Sequence, residues 1–185
     1  LTKEGLGFPQ YLNDDVIIEG LLKKGYDLED ARDYAVAACW EIIIPKKGFE
    51  VVNIGACSFP KVLEKSLHQK DYDSFEELLK EVEYQIQLEC DEIASQYKNV
   101  YFVPSPLMEA SLDIKYWNFG IHGTGIATAA DSLAVVKKYV YEEKSLDKQT
   151  LIDAIDDNFE STPELLHQLR YEAPKLGNND DFVDS

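Results

Sequence analysis

Residues 42–54 read IIIPKKGFEVVNI, and no other stretch narrows the fold as much. Three consecutive isoleucines are β-branched and apolar, which predicts a short buried strand over Ile42–Ile44. Pro45–Gly48 predicts a turn, and Glu50–Ile54 a second extended piece. Pro60 then starts a helix through FPKVLEKSLHQ. Short apolar strands alternating with helices predict an α/β architecture.

The flanking sequence extends the pattern. Asp14 or Asp15 caps a helix from about Val16 to Lys24, stopped by Gly25. Asp27 caps a second helix, with Glu29 and Asp30 in its first turn, where the helix dipole favours acid. Leu28, Ala31, Ala35 and Ala38 form that helix's stripe of small apolar residues. Further on, Ser74 and Glu77 form a capping box, and an amphipathic helix runs to about Tyr97 with Leu78, Val82, Ile86, Leu88 and Ile93 on its stripe. NVYFVPSPLMEASL predicts a strand, a proline break and a short helix. FGIHGTGIATAADSLAVVKKYVYEE predicts a glycine-rich turn and then a helix. Asp147 caps KQTLIDAIDDNF, Thr162 or Pro163 starts ELLHQLRYEA, and PKLGNNDDFVDS is a polar end.

A chain of 185 residues is long enough for one domain with a sizeable core. Its formal net charge is -17, from 35 acidic and 18 basic residues. Nucleic acid and anionic membrane surfaces both need clustered Lys and Arg, so both are excluded as partners. No apolar run approaches the ~20 residues of a membrane span. Cys39, Cys57 and Cys90 match neither a disulfide framework nor a zinc pattern, so a cytoplasmic protein with reduced thiols and no metal is expected. The sequence starts at Leu1 rather than Met, and a piece of something longer is expected.

Cys39 and Glu41 lie two residues apart where the predicted helix gives way to a strand. In a helix they would point to nearly opposite sides; in an extended segment they line one face. By itself the thiol is more simply a packing residue. Glu41 beside an apolar run is harder to assign to packing. HGTGIATAADS could cradle an anion at a helix start or simply be a tight helix entry. His68, His122 and His167 form no ligand motif. Cys57 and Cys90 read as core or helix-face residues; Tyr11, Tyr34, Tyr116 and Trp117 read as core or pocket lining.

Five segments occur in one order: GFPQYLNDD, ARDYAVAACWE, VNIGACSFPKVLEKSL, ADSLAVVKKYVYEEK and APKLGNNDDFVD. In this combination the chain resembles the glycyl radical enzymes, the pyruvate formate-lyase-like family, in its dehydratase-like branch. The resemblance runs from about Leu6 to Asp184. It implies part of a ten-stranded α/β barrel, with residues 1–185 a segment of a single catalytic domain. It also implies that Cys39 is the thiyl site and Glu41 the base of the eliminating members. The radical would be stored on a glycine outside this chain, installed by an S-adenosylmethionine-dependent iron–sulfur activating enzyme. Expected partners are a small-molecule substrate, that activating enzyme, the remaining segments of the same enzyme, and further copies in a homo-oligomer.

Three departures accompany the resemblance. Asn53 stands where diol dehydratases of the family carry an aspartate that holds a substrate hydroxyl. Asp113, Ile114 and Lys115 directly bridge two segments that the family usually separates further. No Arg-Val-x-Gly-type radical loop occurs before Ser185, so the 185 residues alone are expected to show no turnover. A lyase or dehydratase acting on a small hydroxylated substrate is the leading expectation. A C–C-cleaving or decarboxylating member and a non-catalytic fragment are the alternatives.

Overall fold

A computed structural model describes residues 2–4, 12–37, 41–99 and 106–184. The chain divides into two units, Leu1–Val52 with Tyr101–Gly120, and Asn53–Val100 with Ile121–Ser185.

In the first unit, α1 (Asp14–Lys23) is capped by Asn13, whose side chain accepts from Val16 N at 3.4 Å. The cap is therefore neither Asp14 nor Asp15; both lie in the first turn, where their charge still suits the dipole. α2 is only Leu28–Arg32, and Asp27 at its N-cap makes no side-chain capping bond. The expected helical stripe is wrong beyond Ala31. Ala35–Ala37 forms β1, antiparallel to β2 (Glu41–Ile43), with Ala35 opposite Ile43 and Ala37 opposite Glu41. Pairing with the isoleucine strand outweighs alanine's helix propensity. Ala38 lies outside the described residues. Leu21, Ala31 and Ile44 form a small buried core, with Ile17, Ile18, Tyr26, Tyr34, Ile42 and Tyr116 packed against it.

β3 (Gly48–Ser58) is longer than Glu50–Ile54 and pairs with β4 (Tyr116–Thr124). The two run in the same direction. Tyr116 N donates to Lys47 O beside their first residues, and Thr124 Oγ1 donates to Cys57 O near their last. The expected glycine-rich turn is thus mostly strand, since Gly120, His122 and Gly123 lie within β4. The strand expected around 99–103 falls largely outside the described residues.

The second unit holds α3 (Phe59–Gln69), α4 (Phe75–Gln96), α6 (Ile126–Val135), a π-helical continuation over Val136–Glu142, α7 (Lys148–Asp156) and α8 (Pro163–Tyr171). The short α5 (Pro106–Ser111) belongs to the first unit. Glu77 N donates to Ser74 Oγ at 3.2 Å, while the Glu77 carboxylate accepts from Asp73 N, one residue before the expected partner. Leu78 and Val82 are buried, but Leu88 is exposed. Ten residues after Leu78, Leu88 has turned roughly 80° away from the stripe. Asp147 caps α7 by accepting from Thr150 N at 3.1 Å. The core combines Cys57 from β3 with Val62, Leu63, Leu67, Leu78, Val135, Tyr139, Leu151 and Leu169. Gly125 enters α6 with φ 73°, and a Cβ there would lie 2.7 Å from the Pro60 ring. Only glycine meets both demands. The expected polar end docks: Val183 is buried, and the Phe182 ring lies 5.6 Å from that of Phe75.

His68 links α3 to α7. Nδ1 lies 2.8 Å from Glu64 O and Nε2 3.2 Å from the Asp156 carboxylate. The Glu64 carbonyl, followed by Asp156, raises the imidazole pKa. The protonated ring therefore stabilises the folded state. Its contribution is complete below the unfolded value of about 6.5 and is lost as pH rises through the folded value. The denaturation midpoint of the wild type should exceed that of His68→Gln by more at about pH 5 than at about pH 9. A difference independent of pH would remove this coupling.

Candidate functional site

Glu41 is the first residue of β2 and is half-buried opposite Ala37. Cys39 lies outside the described residues. Asn53 lies in β3 with its side chain exposed, and it belongs to the second unit whereas Glu41 belongs to the first. After β2 the chain passes through Ile44, buried to 2% exposure, into a turn at residues 45–47. Gly48 N closes that turn on Ile44 O at 2.8 Å, and the Glu50 carboxylate accepts from Ile44 N at 3.1 Å.

The strongest electrostatic feature of the first unit lies beside this turn. Asp30 in α2 is 3% exposed, covered by the side chains that bind it rather than by depth. One carboxylate oxygen accepts from Lys47 Nζ. The other accepts from Lys115 Nζ at 2.8 Å and from Tyr116 Oη at 2.6 Å. The Lys115 ammonium, then Lys47, then the Tyr116 hydroxyl hold Asp30 well below the usual carboxylate range. Lys115 also pairs with Asp27, and its own pKa is raised by Asp27 and Asp30. Tyr116 stacks on Tyr26 at 4.2 Å, and Tyr26 Oη donates to Asn118 Oδ1 at 2.5 Å. Sequence reasoning missed this cluster. Asp30 read as a helix-dipole residue and Lys115 as part of a shortened connection. The available signal was an acid one position from Ala31 on the buried side of a short helix.

The other candidates carry less. Burial pushes the Cys57 thiol up to about 11, so it remains protonated and inert at neutral pH. Trp117 is exposed, with its ring 4.7 Å from Phe49, whereas Tyr34 and Tyr116 pack on the small core. Tyr11 lies outside the described residues. A cleft of about 610 Å³ in the second unit is walled by Leu63, Leu67, Val135, Leu151, Phe159 and Leu169, and neither Glu41 nor Asn53 lines it. Among the described residues no group of His, Cys, Asp or Glu could hold a metal, and no helix is long and apolar enough to cross a membrane.

The pyruvate formate lyase-like family model matches residues 1–103 and 108–185. Trans-4-hydroxy-L-proline dehydratase of Clostridioides difficile is 29% identical, over 100% of this chain and 28% of its own length. The B12-independent glycerol dehydratase of Clostridium butyricum, solved with glycerol bound, superposes with a TM-score of 0.75 at 28% identity, over 99% of this chain and 27% of that one. A glycyl radical enzyme of Archaeoglobus fulgidus gives a TM-score of 0.66 at 25% identity, over 92% of this chain and 26% of that one. The chain therefore spans about a quarter of the length of the proteins it matches.

Proposed function

The chain belongs to the pyruvate formate lyase-like family, and from that premise we propose that it is a barrel segment of a glycyl radical dehydratase, with Cys39 and Glu41 as its catalytic pair. The observation that carries this reading is the position of Glu41 at the start of β2, two residues after Cys39. Two residues of fully extended chain span about 7 Å, so covalent reach alone keeps thiol and carboxylate near one small substrate. The fold is that of glycyl radical enzyme barrels, of which this chain is a part.

In the proposed reaction, a glycyl radical held by the remaining segments of the enzyme, and installed by an S-adenosylmethionine-dependent activating enzyme, takes the hydrogen atom of the Cys39 thiol. The Cys39 thiyl then abstracts a hydrogen atom from a substrate carbon bearing a hydroxyl, which re-forms S–H. Glu41 accepts the hydroxyl proton, and the resulting ketyl expels hydroxide from the neighbouring carbon. Glu41 returns the proton to that hydroxide, giving water, and the product radical recovers a hydrogen atom from Cys39. Hydrogen-atom transfer does not need a thiolate, so the thiol requires no lowered pKa. Asn53 would orient a substrate hydroxyl through its amide, which both donates and accepts. That favours substrates able to share hydrogen bonds with a neutral group.

Glu41→Gln separates these steps. In an enzyme that combines this chain with the remaining segments, the vicinal diols glycerol and propane-1,2-diol serve as test substrates. With the one that turns over, hydrogen exchange into recovered substrate should continue. Product formation should fall by about 10²–10⁴-fold, the usual contribution of a positioned base. Equal loss of exchange and elimination would remove Glu41 from the role of base.

A further inference from the structure

We propose that Asp30 is a positioning residue, whose clamp by Lys47, Lys115 and Tyr116 sets the β1–β2 pair on which the roles of Cys39 and Glu41 depend. This rests on the roles given to Cys39 and Glu41 above. β1 leaves α2 after only Asp33 and Tyr34, so the α2 end of the clamp governs where β1 begins. From the end of β2 the chain passes through Ile44 into the turn bearing Lys47, so the lysine end governs where β2 finishes. Lys115 N and Tyr116 N both donate to Lys47 O, at 2.7 and 3.0 Å, which adds the start of β4 to the same anchor.

Apolar packing by itself does not set this geometry. Among the described residues of this unit, only Leu21, Ala31 and Ile44 form the buried part of the core, and apolar contacts have no direction. Two strands of three residues each are too short to hold their own register firmly. A carboxylate with three donors on two oxygens does have direction, and charge-assisted bonds are the stronger kind. Hydrogen-atom transfer needs its reacting atoms about 3–3.5 Å apart, and a displacement of about 1 Å can cost about 10²-fold. An anchor that shifted β1 and β2 would therefore show in rate before it showed in fold.

Asp30→Asn in the complete, activated enzyme keeps the shape of the side chain and removes its charge. The first readout needs no substrate. A glycyl radical has a doublet electron paramagnetic resonance signal from its α-hydrogen. With Cys39 in the role proposed above, its S–H exchanges with solvent in D2O, the glycyl α-hydrogen is replaced by deuterium through it, and the doublet collapses. The expected result is a wild-type spin count with collapse slowed at least about tenfold, and kcat per spin lowered in parallel with KM changed less than about twofold. A structural role alone would lower the folded fraction or spin count and leave the rate per spin unchanged; that result overturns the proposal. If Asp30→Asn does not fold, Lys47→Gln removes one arm of the clamp and should slow the collapse per spin, and an unchanged rate there is equally fatal. Cys39→Ser distinguishes the two layers. Wild-type collapse and turnover in Cys39→Ser overturn the assignment of Cys39 and the clamp with it. Loss of both in Cys39→Ser beside normal rates in Asp30→Asn overturns the clamp alone.

Discussion

Cys39→Ser in the complete enzyme should bring product formation to background while the glycyl doublet forms at its wild-type intensity. The serine O–H bond is far stronger than the cysteine S–H bond, so a glycyl radical can remove a hydrogen atom from the thiol but not from the hydroxyl. Every later step of the proposed reaction begins from the sulfur radical, so no partial activity survives. Size and shape hardly change, which separates chemistry from packing. If the thiol served only the packing of this segment, Cys39→Ser would retain turnover and lose at most some stability. Measured product formation per spin decides between the two. Turnover near wild type would remove Cys39 from the mechanism.

The largest effect on stability is expected at Leu78. Its side chain is fully buried in α4, within the core that α3, α6, α7 and α8 share with Cys57 of β3. Leu78→Ala removes the side chain's transfer energy and leaves a cavity that the surrounding helices close only in part, at a cost of about 3–5 kcal/mol. With a urea dependence of about 2 kcal/mol per molar, the midpoint should fall by about 1.5–2.5 M. Leu88→Ala, on the same helix but exposed, should shift it by less than about 0.5 kcal/mol, the ordinary range for surface substitutions. Equal shifts at the two positions would contradict the placement of the core.

Much of the second unit is legible in the sequence because its signals are local. Ser74 with Glu77, Asp147 ahead of Thr150, and Pro60 after an apolar strand each act on atoms a few residues away. The same holds for the strand at Ile42 and Ile43 and for the turn that follows it. The family resemblance is likewise written in the order of segments along the chain and agrees with the match over residues 1–103 and 108–185.

What only the tertiary structure decided depends on partners distant in sequence. Ala35–Ala37 has the composition of a helix and becomes a strand because Ile42 and Ile43 offer an edge to pair with. The glycines of residues 120–123 suggest a turn and instead extend β4 alongside β3, since a parallel partner supplies the hydrogen bonds that local sequence cannot. Asp30 shows the same limit at the candidate site. Its position in the first turn of α2 is a sequence property, but its burial beneath Lys115 and Tyr116 joins residues 85 and 86 positions apart. The sequence alone determined the order of the family segments and the helix starts that Ser74 and Asp147 cap. Which backbone Asp30 anchors, and which alanines pair as strand, were decided by contacts that form only when the chain closes on itself.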